Sequence, residues 1–338
     1  MSEQMTERKK IVYSALKPTG DLQLGNYIGA LRNMVAMQDE FDCIYTVADM
    51  HSLTVDTVPA ELRRRSYDFM AVFLAIGLDP ERSVLFVQSH VPAHAELTWV
   101  LNCNTMMGEA NRMTQYKDKS RKAGKAGINV GLFDYPVLMA SDILLYNADL
   151  VPIGKDQQQH LELARTIAER FNGRYSPTFT VPEGYYGNRR TSKIYSLTDP
   201  TAKMGKTDSN ANGVVFLLDK PEDIMRKFAR AVTDSGSEVR ASADKPGITN
   251  LLTIWSVMTE KSVAEGEKEF EGASYESFKR AVGEAVVERL RPIREEYSRY
   301  ISDKGELERI MRAGAEKASR IAGRTLAKVY RKVGFVAR

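Results

Sequence analysis

Residues 14–30 read SALKPTGDLQLGNYIGA and join a short apolar run, Ile11-Val12-Tyr13, to a segment with helical periodicity at 27–37. A strand that passes through a loop holding Pro18, Gly20, Gly25 and Asn26 into a helix restricts what can be built. Glycine lets a ligand approach the backbone closely, and the first turn of a helix offers free N–H groups and a partial positive charge. Such a loop is a phosphate site in form, although an ordinary βα turn can share that form. Its weight comes from a second segment far downstream, 203–208, which reads KMGKTD.

The pattern between the two segments predicts an α/β fold. Strand-length apolar runs stand at 43–48, 83–87 and 150–153. Helical patterns stand at 60–76, 95–103, 135–146 and 157–171. This alternation predicts a Rossmann-like, doubly wound parallel sheet with helices on both faces. Ligands on such sheets bind at the carboxyl ends of the strands. The loop after the first strand, the Asp49-Met50-His51 turn and the Gly154-Lys155-Asp156 turn should then share one crevice. Residues 117–129 are charged and Gly-bearing and read as a mobile loop, and 172–190 as an irregular crossover. Beyond about residue 209 the patterns are helical, at 221–232, 250–258, 275–296 and 305–333. We therefore expect a sheet domain over 1–200 and a smaller all-helical region over 201–338. That region would carry the second segment at its start, with its last helix packing back on the sheet domain.

Composition sets outer limits. The 338 residues are 43% hydrophobic and 27% charged, as in a soluble globular protein, and no apolar run reaches membrane-spanning length. The polar start MSEQMTERKK is not followed by a signal-peptide core. Cys43 and Cys103 lack metal-ligand spacing and sit among apolar neighbours, which reads as buried thiols in a reducing, cytoplasmic compartment without a structural metal. The net charge of +4 hides an asymmetry: residues 285–338 hold 14 Lys/Arg against 7 Asp/Glu. A basic helical region fits a polyanionic partner, and equally a solvated helix surface.

Seven blocks occur in one order: SALKPTGDLQLGNYIGAL, ADMHSLT, QSHVPAHAELTWVLNC, RMTQYKDKS, YPVLMASDILLYNADLVPIGKDQQQHLELAR, DPTAKMGKTDSN and KPGITNLL. Over nearly the whole chain, roughly 11 to 336, this resembles the bacterial tryptophanyl-tRNA synthetases, a branch of the class I aminoacyl-tRNA synthetases. The resemblance implies a cytoplasmic homodimer that converts L-tryptophan and Mg-ATP to tryptophanyl-adenylate and pyrophosphate, then charges tRNA(Trp), with 1–200 as its catalytic domain and 201–338 as its tRNA-binding region.

The resemblance also assigns residues. Gln23-Leu24-Gly25-Asn26 stands at the first class I signature, and Lys203-Met204-Gly205-Lys206-Thr207 at the second. Gly25 would admit adenine and ribose, and Asn26 can donate a neutral hydrogen bond to phosphate. Lys17, Pro18 and Thr19 would lie under the triphosphate, with Gly154, Lys155, Asp156 and Ile194 also at the nucleotide. Lys203 and Lys206 would neutralise charge growing on the α-phosphate and leaving pyrophosphate. Lys119 aligns with a further phosphate-reaching lysine. Gln23, Asn26, Lys119, Lys203 and Lys206 are thus the catalytic candidates.

For tryptophan the candidates are Asp142, Tyr13, His51, Tyr135, Met139, Val151, Ile153 and Gln157. Asp142 lies in an apolar helical pattern, where a carboxylate needs a partner. A helix salt bridge or cap would supply one, and the resemblance implies the indole N–H instead. Tyr135 and Gln157 match positions that hold the α-ammonium, and Met139 would pack on the indole. His51 would sit near the substrate carboxylate. His90 and His94 read as structural, and His160 as lying beyond the site.

Three positions depart from the family pattern: Lys17 where glutamine is frequent, Lys155 where glutamate is common, and Gly205 for the signature serine. They predict a more cationic site and a looser signature loop, and would fit an auxiliary or altered copy. Competing readings are a tyrosyl enzyme, a weakly catalytic paralogue that binds another protein, and a small-molecule nucleotidyltransferase. The Asp142 block, both signature lysines and the basic helical region argue against these in turn.

Overall fold

The computed structural model describes residues 8–122, 128–186, 193–205 and 210–336, with the side chains of 119, 120, 122 and 155 outside the description. Five strands form one sheet: β1 Ile11–Leu16, β2 Asp42–Val47, β3 Ser83–Val87, β4 Leu150–Pro152 and β5 Glu183–Tyr185. All neighbours are parallel, in the order β3-β2-β1-β4-β5. The first three strands alternate strictly between two apolar layers. Val12, Tyr45, Val47, Leu85 and Val87 face one layer, and Tyr13, Ile44 and Phe86 the other. This is the period of two that a strand imposes on its side chains.

The first layer packs against Leu24–Met37 and Pro59–Ala75 and runs on without a break into the downstream helices Pro221–Ala229, Pro246–Thr259 and Tyr275–Ser302 through Phe228, Trp255 and Phe278. The second packs against Ala93–Asn102, Val130–Leu144 and Gln158–Tyr175. β1 lies between β2 and β4, so chain order reverses there, and the crevice for a ligand opens between the carboxyl ends of β1 and β4.

The sheet edge at β3 is covered by the last helix, Lys304–Val333. Leu307 and Met311 of this helix join one apolar layer, and Ala318, Ala322 and Val329 the other, so it crosses the edge. At the crossing, a Cβ on Gly314 would stand 1.7 Å from the Leu85 carbonyl oxygen. Covering an edge strand with a small-residue helix face removes it as a pairing template.

Several expectations need correction. Cys103 is exposed, because it caps the helix Ala93–Asn102 on the side of exposed Trp99; only Cys43 is buried. Residues 117–122 belong to a helix, Thr114–Lys122, rather than a loop. The crossover at 172–190 includes β5, whose Glu-Gly-Tyr sequence carries no apolar run, so the sheet gains a strand that pairing with β4 defines. No helix among the described residues is long and apolar enough to cross a membrane.

Gly314→Ala should lower unfolding free energy by about 3 kcal/mol, since Cβ and carbonyl cannot share that space and helix and strand must part. Gly323, on the same helix with nothing within 4 Å of a built Cβ, is the control. Gly323→Ala should be neutral or stabilise by up to about 1 kcal/mol. Urea unfolding of both variants checks the pair, and equal stabilities would mean the helix is not seated on β3.

Candidate active site

The loop after β1 and the second signature segment meet directly. Leu24 N donates to Val215 O at 2.8 Å, and Gln23 Nε2 donates to Met204 O at 3.1 Å. A Cβ on Gly25 would lie 3.7 Å from the Ile194 side chain, so glycine leaves the crevice floor flat. Asn26 Oδ1 accepts from Gln23 N at 3.1 Å, which holds the turn closed and makes Nδ2 the end that can serve a ligand. The helix then opens with a π-helical stretch, Tyr27–Leu31, a wide turn often found at functional sites.

Met204 is buried in the first apolar layer, whereas Lys203 is exposed beside it. Buried and exposed neighbours anchor this segment by its backbone and leave the lysine in solvent reach. Lys206 and Thr207 lie outside the described residues. A Cβ on Gly205 would stand 3.4 Å from Lys203 O, so a larger residue there must shift its neighbour slightly. Lys17 Nζ donates to Thr54 Oγ1 at 3.3 Å, placing it between the β1 and β2 turns. Pro18 is buried and Thr19 partly so beside it, with Thr19 N on Lys17 O at 2.8 Å.

Behind this crevice lies a carboxylate with almost no exposure: Asp142, at 1%. Its Oδ1 accepts from Gln88 Nε2 at 2.7 Å and His94 Nδ1 at 2.6 Å, and its Oδ2 from His51 Nε2 at 2.8 Å. The other ring nitrogen of His94, Nε2, lies 2.9 Å from the Tyr146 hydroxyl. Burial pushes the Asp142 pKa upward, and the bonds and charges of His51 and His94 outweigh it, leaving the carboxyl at about 2. The same burial, with the Asp142 charge behind it, raises the phenols of Tyr13 and Tyr146, which stay protonated.

Around Asp142 the expected residues gather. Tyr13, Val151, Ile153 and partly buried Met139 belong to one apolar cluster, with Tyr13 stacked on Tyr146 at 5.6 Å between ring centroids. His51 meets the Tyr135 ring edge-on at 6.3 Å. The Tyr135 hydroxyl, its pKa pushed up to about 12 by burial, lies 3.0 Å from His160 Nε2. Gln157 Nε2 donates to Asp156 Oδ2 at 2.8 Å, and Gln115 Nε2 to Asp156 O at 3.0 Å. Gln115 sits on Thr114–Lys122, so the helix of Lys119 packs on the Gly154–Asp156 turn. Two readings change: His94 bonds Asp142 itself, and His160 stands under Tyr135 rather than beyond the site. Gln88 and Tyr146 were missed altogether, although a lone polar residue in each apolar run was a signal.

Comparison with known proteins gives the family. The model described as tRNA synthetases class I (W and Y) matches residues 5–291. The chain belongs to this family. A tryptophan–tRNA ligase of Clostridium tetani is 52% identical over 332 residues, covering 98% of each chain. The solved tryptophanyl-tRNA synthetase of Mycoplasma pneumoniae aligns with TM-score 0.85 at 35% identity, over 97% of this chain and 98% of that one. That of Campylobacter jejuni, solved with ADP and tryptophan, aligns with TM-score 0.84 at 33% identity, over 96% and 100%. The chain is therefore an aminoacyl-tRNA ligase of class I with a Rossmann-like catalytic sheet.

For this synthetase the buried carboxylate carries a pH signature. The Asp142 pKa lies below the ordinary value of about 3.9, so its contribution to stability is complete above about pH 4 and is lost as pH falls toward 2. Asp142→Asn should be less stable than wild type at pH 7, and the gap should narrow below about pH 4. Unfolding titrations at stepped pH test this; a gap that stays constant would mean Asp142 is not held ionised by its donors.

Proposed function

We propose that this chain is an ATP-dependent, AMP-forming tryptophan–tRNA ligase that binds the indole N–H at Asp142. One observation carries the substrate assignment. Among the described residues Oδ1 of Asp142 takes two donors and Oδ2 takes one, and a carboxylate has about four lone-pair positions. The remaining acceptor position belongs to the oxygen bonded by His51, beside the apolar cluster of Tyr13, Val151, Ile153 and Met139. An indole is a flat apolar body that ends in a single N–H. Phenylalanine would leave the acceptor unpaired, and a site of this kind rejects such an analogue by roughly 10⁴–10⁵.

The first step needs no covalent enzyme intermediate. The tryptophan carboxylate attacks the α-phosphorus of ATP, the bond to the β-phosphate oxygen breaks, and pyrophosphate leaves with the electron pair. Magnesium enters as part of the nucleotide substrate. Gly25 admits the nucleotide to the backbone, Asn26 Nδ2 donates to phosphate, and Lys203, Lys206 and Lys119 meet the growing charge. Tyr135 and Gln157 receive the α-ammonium. Holding both reactants in line supplies much of the rate. In the second step the terminal ribose hydroxyl of tRNA(Trp) attacks the adenylate carbonyl, and AMP leaves.

The partner assignments rest on surfaces. Trp99, Met106 and Met107 are 67%, 54% and 67% exposed on consecutive elements, an apolar area that fits the two-fold interface of a cytoplasmic homodimer. Arg309, Arg312, Arg320 and Arg324 are exposed on the last helix, and fit the tRNA backbone. The departures at Lys17 and Lys155 make the nucleotide end more cationic, consistent with an altered copy of the enzyme.

ATP–pyrophosphate exchange tests the assignment. Wild type should respond to tryptophan and not to tyrosine or phenylalanine, and Asp142→Asn should lose about 10²-fold or more in tryptophan kcat/KM. Equal response to tyrosine would sink the tryptophan reading. Charge reversal at Arg312 and Arg320 should raise the Michaelis constant for tRNA and reduce its salt dependence while exchange survives. A joint loss of exchange and charging would assign these arginines to the fold instead.

A further inference from the structure

Residues 194–204 form a narrow antiparallel ribbon whose outgoing limb bears the second signature. Ser196 N donates to Ala202 O at 2.9 Å, Met204 N donates to Ile194 O at 3.2 Å, and Tyr195 lies opposite Lys203 between them. In an antiparallel pair, opposed residues that exchange no bond with each other turn their own N–H and C=O groups outward. Tyr195 is in that position, so its peptide groups face away from the limb of Lys203. Both are met by one side chain. Tyr195 N donates to Asn250 Oδ1 at 2.8 Å, and Asn250 Nδ2 donates to Tyr195 O at 3.0 Å. The carboxamide takes the place of a peptide group in a third strand. Among side chains only Asn and Gln offer this neighbouring donor and acceptor.

Asn250 is 4% exposed and rides on a firmly seated helix, Pro246–Thr259. Thr249 Oγ1 bonds both Ser242 N and Ser242 O at 3.0 Å. A Cβ on Gly247 would lie 2.3 Å from Val232 O, so helix and loop are in contact there, and Val232 N returns to the ribbon at Leu197 O, 2.7 Å away. The ribbon is gripped from its other side by Gln23, whose Nε2 donates to Met204 O at 3.1 Å.

We propose that Asn250 is a positioning residue for adenylate formation: it fixes the 194–204 ribbon, and with it the Cα of Lys203, over the phosphate site at Gly25. The proposal rests on the activity assigned above. A lysine has a flexible four-carbon stem, so its ammonium can be aimed only if its backbone is fixed. Lys203 meets charge that grows in the transition state, so loosening the ribbon lowers kcat more than it weakens substrate binding. Among the described residues Asp142 and its donors share no hydrogen bond with Asn250, and tryptophan affinity stands apart from the change.

The test is tryptophan-dependent pyrophosphate exchange in wild type, Asn250→Ala, Lys203→Ala and the double variant, with tryptophan binding measured calorimetrically. Asn250→Ala should lose up to about 10²-fold in kcat, since displacement of about 1 Å can cost that much. Its tryptophan affinity should stay within about two-fold of wild type. On the Lys203→Ala background the same substitution should cost far less, because both act through one lysine. Asn250→Asp keeps an acceptor for Tyr195 N but sets an oxygen against Tyr195 O, and should be impaired as well. An unchanged kcat, an equal loss on both backgrounds, or a matching loss of tryptophan affinity would each overturn the positioning role. Should Asn250→Ala fail to fold, Asn250→Ser carries the same cycle; failure of both would make Asn250 a residue of the fold and also overturn it. Wild type without exchange would remove the activity assignment, whereas exchange that every Asn250 variant retains removes only the positioning role.

Discussion

A charge in the middle of an apolar layer sets the terms for this molecule. Removing a carboxylate from water costs several kcal/mol even after relaxation, and Asp142 is nearly fully buried. The cost is offset only if donors reach it with good geometry. His51 comes from the turn after β2, Gln88 from the turn after β3, and His94 from the helix that follows, while Asp142 itself lies on Val130–Leu144. Four elements must therefore stand in fixed relation or the charge goes uncompensated. The depressed pKa of the carboxyl says that the donors prevail over the burial. The same bonds that make the charge tolerable hold its two oxygens unequally, with two donors on Oδ1 and one on Oδ2.

How much of this could be read from the chain depended on periodicity. β1, β2 and β3 have five or six residues each and alternate between two apolar layers, so their runs stand out. β4 has three residues, and the apolar run at 150–153 still marked it. β5, Glu183–Tyr185, is as short without an apolar run, and only its pairing with β4 defines it. The signature segments were legible as a pair in one order with the blocks between them, since either alone could be an ordinary turn. Gln88, His94 and Tyr146 were not, because a polar residue that completes a buried network carries no spacing of its own. Tyr146 lies in the turn after the helix of Asp142, and the phenol and the carboxylate meet opposite ring nitrogens of His94.

The last helix shows the same economy in the packing. A sheet in the order β3-β2-β1-β4-β5 leaves β3 at an edge. Lys304–Val333 closes that edge, and it can approach only where it lacks side chains, at Gly314, Ala315, Ala318 and Ala322. Its outer face is then free to be basic without any cost to the core. The surplus of positive charge in this part of the chain is thus the outward side of a structural element.

Catalysis places the hardest demand on the second signature, which lies nearly 180 residues from the first. A flexible cation is useful against a developing charge only if its base is fixed. The structure answers with backbone bonds. Gln23 reaches Met204 O from the side of the sheet, and Asn250 holds both peptide groups of Tyr195 from the side of the helices. Met204 turns into the apolar layer between them, which fixes the segment by burial as well. Lys203, next to the buried methionine and opposite the bridged tyrosine, keeps its charge in solvent on a fixed backbone. A shift of the helical region relative to the sheet reaches the ribbon through Asn250, and through Val232, whose N–H bonds Leu197 O.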